Sequence, residues 1–324
     1  MHLASTNFNL IQIKTMCKKT VLLIFWTLCT ALGWAQKQSI VLRDSFYSPA
    51  VGLQLKYTAI LPATYHQQTN ARFPVLYLLH GHTGNYTSWL TYAQLPPQLA
   101  TQYHCIIILP DAGNSWYVNW TGQSDGKAHR WEDMLIKDLM PVVAKRYRSK
   151  TDRQHQALGG LSMGGFGALS VGLRHPDLFG FVFSSAGAIN FCQNIKREMA
   201  RDTLDWNSPE RWSDGNRVID VPGFSTQRER TPAGLVFKTS ADADQFDPYL
   251  LLEKLDAKNL PYLHLDCGLK DDFLTEAQQF GELIRKKSPR YSFLQMPGAH
   301  EVPYWQQAIE HTFLIMQQEG VFEF

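Results

Sequence analysis

A mostly parallel β-sheet with helices on both faces is the α/β architecture that this 324-residue sequence predicts. Three observations predict it. From Ser39 onward, short continuous apolar runs alternate with longer stretches of helical period, which is how βαβ units read when their strands are buried on both faces. A turn, Gly160-Leu161-Ser162-Met163-Gly164, joins one such run to one such helix. Acidic and histidine residues, Asp271, Asp272 and His300, follow two later runs in the same way. Ligands of such sheets bind outside the carboxyl ends of the strands, so the three places converge on one edge.

The chain begins with a segment that reads as an export signal over residues 1–35. Lys18 and Lys19 precede an apolar run from Val21 to Trp34, and Gly33-Trp34-Ala35 offers small residues before Gln36, the order of a cleavable leader. Met16 is a second candidate start. The run is shorter than the roughly 20 residues of a membrane-spanning helix, and Cys29 follows Leu28 and not a small residue, which argues against a lipoprotein site. The expectation is a single domain over 36–324, periplasmic or extracellular, without a stable membrane anchor. Its 44% hydrophobic and 19% charged residues suit a packed core and exclude global disorder. The formal net charge is +2, and losing Lys14, Lys18 and Lys19 with the leader brings it near neutrality. Without a basic run, nucleic acid is not an expected partner.

Strand-like runs follow at Val51–Leu61, Phe73–Leu79, Cys105–Leu109, Gln156–Gly159, Phe181–Ser185, Tyr262–Asp266 and Tyr291–Gln295. Helical period and length assign Trp131–Tyr147, Gly164–Arg174, Pro248–Lys258, Leu274–Lys287 and Val302–Gln318. The interval of about 188–247 breaks this rhythm with Trp206, Trp212, Pro209, Pro222 and Pro232, and reads as an insertion over the carboxyl edge of the strands. Cys17 and Cys29 would leave with the leader, Cys105 reads as a small buried hydrophobe, and a Cys192–Cys267 bridge stays open.

The strand–Gly160-x-Ser162-x-Gly164–helix context is that of a nucleophile elbow. A sharp turn lifts the serine hydroxyl clear of the sheet, leaves no room for side chains at the two glycines, and aims the helix N-terminus at a developing oxyanion. A hydroxyl needs a base, and the base needs an orienting acid, arriving in the order Ser, Asp, His. His300 follows the last strand as the base. His311 lies too far along the final helix to reach the same edge. Asp271 and Asp272 compete: one accepts the His300 ring N–H while the other caps the helix from Phe273. The loop Leu78-Leu79-His80-Gly81-His82-Thr83-Gly84-Asn85 supplies the second backbone donor, so the oxyanion donors are the amides of His82 and Met163. His80-x-His82 also has zinc-ligand spacing, but no second His-rich stretch completes a site, and neither metal nor cofactor is expected.

With Leu109-Pro110-Asp111-Ala112-Gly113-Asn114-Ser115-Trp116-Tyr117, Gly160-Leu161-Ser162-Met163-Gly164-Gly165-Phe166-Gly167-Ala168 and Cys267-Gly268-Leu269-Lys270-Asp271 in order before His300, the chain from about Val51 onward resembles the esterase D-like esterases. These are α/β-hydrolases and include S-formylglutathione hydrolases, the feruloyl and acetyl esterases of carbohydrate esterase family one, and mycolyltransferases. The resemblance implies an α/β-hydrolase fold and a serine esterase acting through an acyl-enzyme. It also selects Asp271 as the acid, three residues after Gly268 and followed by the D-x-F-L pattern. Export argues against cytoplasmic S-formylglutathione, so acetylated or feruloylated carbohydrate is the expected substrate, with Trp116 and Tyr117 as stacking neighbours and Trp120, Trp206 and Trp212 as further aromatics. Acyl transfer to a sugar hydroxyl uses the same triad. A non-catalytic glycan- or lipid-binding protein on this fold is the alternative of another class.

Overall fold

Runs of Ile, Leu and Val too short for helices become strands when both of their faces are covered, and the computed structural model places eight strands in one sheet. It describes residues 38–121, 129–201 and 236–322. The expected leader and its cleavage site, Trp206, Trp212 and the middle of the expected insertion fall outside the described residues.

The strands are β1 (Ile40–Ser48), β2 (Leu53–Leu61), β3 (Val75–Leu79), β4 (Ile106–Pro110), β5 (Gln156–Leu161), β6 (Phe181–Ser185), β7 (Tyr262–Gly268) and β8 (Tyr291–Met296), in the order β1-β2-β4-β3-β5-β6-β7-β8. β1 pairs antiparallel with β2, and β2 antiparallel with β4. All later pairs are parallel. β1 is an addition to the sequence reading. Its solvent-facing edge mixes Arg43, Asp44 and Ser45 into the apolar pattern, and what fixes it is the turn into β2, where Gly52 takes φ +66° and donates its N–H to Ser48 O at 2.8 Å.

β3 through β7 are buried along their whole length. Each Ile, Leu or Val so buried contributes about 1.5–3 kcal/mol relative to exposure. From β3 the chain passes to β4 on one side and then to β5 on the other. The loops after β3 and β5 therefore diverge, and the crevice between their carboxyl ends is the topological switch point.

Helices Leu274–Lys287 and Val302–Gln318 have the expected bounds. The latter buries Tyr304, Trp305, Ala308, Ile309, Thr312, Phe313 and Met316, one stripe of a 3.6-residue period. The helix expected over Trp131–Tyr147 contains a π-helical stretch, Met134–Leu139. Pro248–Lys254 stops four residues short of the expected Lys258, and a 3₁₀ turn follows at Ala257–Asn259. The described ends of the 188–247 interval are helical, Phe191–Arg201 and Ser240–Asp244. Cys105, Cys192 and Cys267 are buried free thiols, so no Cys192–Cys267 bridge is formed. Among the described residues, no helix is long and apolar enough to cross a membrane.

Candidate active site

Ser162 stands between β5 and the helix Met163–Arg174 with φ 54° and ψ −117°, a backbone conformation that L-residues rarely adopt. The surroundings over-determine it. The Ser162 amide donates to Ser185 O at 3.0 Å, and its carbonyl accepts from Phe166 N at 3.1 Å and Ala188 N at 3.2 Å. A Cβ on Gly160 would lie 2.7 Å from Leu79 O, and one on Gly164 would lie 2.6 Å from His80 O. Only glycine lets the elbow approach β3 this closely.

The Ser162 hydroxyl lies 3.0 Å from His300 Nε2, and His300 Nδ1 lies 3.0 Å from Asp271 Oδ2. Asp271 and His300 arrive on two loops that grip each other. Lys270 N donates to Gly298 O, and Leu269 N to Met296 O, both at 2.9 Å. Gly298 takes φ +140°, while a Cβ on Gly268 would come within 2.6 Å of Gly298 O. Phe273 and Trp305 meet the His300 ring edge-on from 5.0 and 5.1 Å, which fixes its plane while leaving the side chain 15% exposed. The sequence reading divided two tasks between Asp271 and Asp272. Asp271 makes both contacts, Oδ2 with His300 Nδ1 and Oδ1 accepting from Phe273 N at 2.9 Å. Asp272 is exposed.

Met163 opens its helix, so its amide has no intrahelical partner and faces the end where partial positive charge collects. His82 follows β3 across the crevice, in a loop tied down by Thr83 N to Asn114 Oδ1 at 2.7 Å and Trp89 Nε1 to Leu79 O at 2.9 Å. His80 is structural. Burial pushes its pKa down to about 4, so the ring is neutral. Its Nδ1–H donates to Gly81 O at 2.8 Å and its Nε2 accepts from Ala112 N at 3.2 Å, which commits both nitrogens to backbone.

The expectation that Tyr117 touches substrate is corrected. Tyr117 is fully buried, its ring lies against Gly167, and its hydroxyl donates to His80 O at 3.0 Å. It props the loop that carries His82. Trp116 stacks on Phe191 at 3.6 Å with its ring plane within 8°, meets Phe166 edge-on, and comes within 6.2 Å of His82. It retains 6% exposure beside the loop that carries His82. Trp116 and Tyr117 both have positive φ, 61° and 57°, a local twist that sends consecutive aromatic rings to different places. Trp120 is buried, with Nε1 donating to Ser115 O at 2.9 Å.

Two buried carboxyls near Asp271 escaped the sequence reading. Burial raises the pKa of Asp266 to about 7 and that of Glu276 to about 7, the latter opposed by a hydrogen bond from Asn190 N at 2.9 Å. The available signal was a carboxylate two residues after a histidine, His264, within a buried strand for Asp266, and one on the inward stripe of a helix for Glu276.

Residues 48–314 match the family described as "Putative esterase". The chain is similar to an acetyl esterase of Caldicellulosiruptor saccharolyticus, 24% identical over 84% of this chain and 96% of that protein. It is also similar to an endo-1,4-beta-xylanase/feruloyl esterase of Xylanibacter ruminicola, 26% identical over 56% of this chain and 27% of that longer protein. Among solved structures, an S-formylglutathione hydrolase (FrmB) of Staphylococcus aureus superposes with TM-score 0.64 at 24% identity, covering 86% of this chain and 98% of that one. A match over most of the chain, on a mostly parallel sheet shared with known esterases, places this protein in the esterase family as an α/β-hydrolase-fold carboxylic ester hydrolase.

Proposed function

We propose that the protein is an exported serine esterase that removes small acyl groups, acetyl or feruloyl, from carbohydrate esters through an acyl-enzyme on Ser162. The observation that carries the chemistry is the continuous chain from Ser162 Oγ through His300 to Asp271, with both contacts at 3.0 Å. His300 Nε2 takes the hydroxyl proton as Ser162 Oγ attacks the ester carbonyl. Asp271 accepts the Nδ1–H, which fixes the tautomer and stabilises the imidazolium. The carbonyl oxygen, now anionic, is received by the His82 and Met163 amides. The tetrahedral adduct collapses, His300 returns the proton to the departing alkoxide, and the acyl group stays on Ser162. Water then attacks with His300 again as base, releasing the acid and restoring the hydroxyl.

The likeness to an acetyl esterase over nearly the whole of both chains supports deacetylation, and the likeness to a xylanase/feruloyl esterase supports a feruloylated polysaccharide. The leader-like residues 1–35 support export. Likeness to an S-formylglutathione hydrolase favours a second reading, a thioesterase on the same triad, which an exported protein would have little occasion to use. Initial rates on acetylated xylan, feruloylated arabinoxylan, S-formylglutathione and p-nitrophenyl acetate separate these readings. The expected best substrate is an acylated oligosaccharide, and a best substrate of S-formylglutathione overturns the carbohydrate assignment. Sequencing the N-terminus of the exported protein tests the leader, with Gln36 expected first.

A further inference from the structure

Behind the triad lies a second polar chain that this chemistry does not use. Asp266, near the carboxyl end of β7, is 1% exposed, and its Oδ1 accepts from the Ser185 hydroxyl at 2.6 Å and the Tyr304 hydroxyl at 2.9 Å. Those two donors lead to opposite halves of the site. Ser185 owns the carbonyl that accepts the Ser162 amide. The Tyr304 ring lies under Gly298, where a Cβ would sit 2.8 Å from Cδ2, two residues before His300. The other carboxyl oxygen, Oδ2, is buried without a hydrogen-bond partner. So is Nε2 of His264, 3.7 Å away. His264 is itself fully buried, and its Nδ1 lies 2.8 Å from Ser292 Oγ.

An ionised carboxylate with one oxygen buried and unpartnered is strongly disfavoured. A proton on Oδ2 removes the buried charge: Oδ2–H then faces the Nε2 lone pair across 3.7 Å, longer than a hydrogen bond, while His264 Nδ1–H donates to Ser292. The neighbouring groups push the same way. Asp271 opposes a second negative charge at Asp266, and His311 opposes a positive one at His264. Burial keeps the Cys267 thiol and the Tyr304 phenol protonated. Burial also moves Asp266 up to about 7 and His264 down to about 3.

We propose that Asp266 is held as a neutral carboxylic acid paired with neutral His264, a positioning element that fixes the Ser162 elbow through Ser185 and the His300 loop through Tyr304. Being uncharged, it leaves Asp271 to carry the negative charge that meets the imidazolium. The inference rests on the triad reading, and its test separates the two.

In the Ser162→Ala protein, which need not turn over, infrared difference spectra against Ser162→Ala/Asp266→Asn report the protonated acid directly. The expected result is an acid C=O band below about pH 7 that fades above it and is lost with the Asp266→Asn change. With Ser162 intact, Asp266→Ala should lower kcat about tenfold or more with little change in KM. Asp266→Asn presents the same acceptor to Ser185 and Tyr304 and an N–H to His264, so it should recover most of that loss. Its Tm should gain on that of the wild type as pH rises from about 4 to about 7, where the unfolded carboxyl is ionised and the folded one is not, and the difference should level off above about 7. An Asp266→Asn enzyme as impaired as Asp266→Ala, or the absence of the acid band, overturns the proposal. If Asp266→Ala does not fold, the band and the Tm comparison decide alone. Full activity in Ser162→Ala would remove the triad and leave the acid band where it is.

Discussion

Replacing Asp271 by Asn tests the orienting acid with almost no change in volume. Its two oxygens have separate partners, His300 Nδ1 at 3.0 Å and Phe273 N at 2.9 Å. If the amide keeps its oxygen toward Phe273, its NH₂ faces His300 Nδ1. Two donors cannot share that contact, so the imidazole moves its proton to Nε2 and presents a donor to Ser162 Oγ, the reverse of what a base must do. If the amide flips, the Phe273 hydrogen bond is lost, at a cost of about 1 kcal/mol, and a neutral oxygen faces the imidazolium. Either way the transition state loses its charge-paired, correctly tautomerised base. In a serine protease the same change costs about 10⁴ in kcat. We expect about 10³–10⁴ here, or roughly 4–5.5 kcal/mol of barrier, with KM within about threefold. Exposed Asp272→Asn should stay within about twofold. The assay is steady-state hydrolysis of p-nitrophenyl acetate by both variants, with circular dichroism to verify folding. A loss below about tenfold in Asp271→Asn, or a larger loss in Asp272→Asn, refutes the assignment.

Ser162→Ala should abolish labelling by a fluorophosphonate probe and lower turnover by up to about a millionfold, with Ser162→Ala/His300→Ala little worse because the groups act as a unit. More than a tenth of the activity remaining in pure Ser162→Ala would sink the nucleophile. Trp116→Ala should raise KM on an acylated oligosaccharide more than on p-nitrophenyl acetate, and equal effects on the two would mark Trp116 as packing for Phe191 alone. Glu276 has a folded pKa raised from 4.5 to about 7 by burial. Its contribution to stability is therefore fully present below about pH 4.5 and is lost as pH rises through about 7. Glu276→Gln should leave stability unchanged in acid and raise it at alkaline pH by up to the order of 3 kcal/mol, read as a rise in Tm. A Tm difference independent of pH would show that Glu276 keeps the same charge state in both forms.

The central strands were legible because burial on both faces demands uninterrupted apolar residues, and the meeting of Ser162, His300 and Asp271 was legible because chain order and strand ends bring them to one edge. β1 was not, since half of its residues face water and only pairing with β2 defines it. Adjacent Asp271 and Asp272 have nearly the same reach along the chain, so spacing could not tell that one carboxylate would serve two donors. The fate of Tyr117 depended on positive φ at two successive non-glycine residues, which propensity does not foresee. Asp266 resembles an ordinary strand end until Ser185 on β6 and Tyr304 on the last helix are brought to it by tertiary structure.

The elbow has no clearance. With Leu79 O and His80 O closer to Gly160 and Gly164 than any side chain permits, the nucleophile cannot travel to meet a bulkier ester, and adaptation must come from elsewhere. On its other side the turn is held as firmly, since Ala188, on the link that leaves β6, donates its N–H to Ser162 O at 3.2 Å. An engineer seeking a new acyl group or alcohol should hold the glycine turn constant, since a side chain at either glycine would drive the Ser162 turn away from β3.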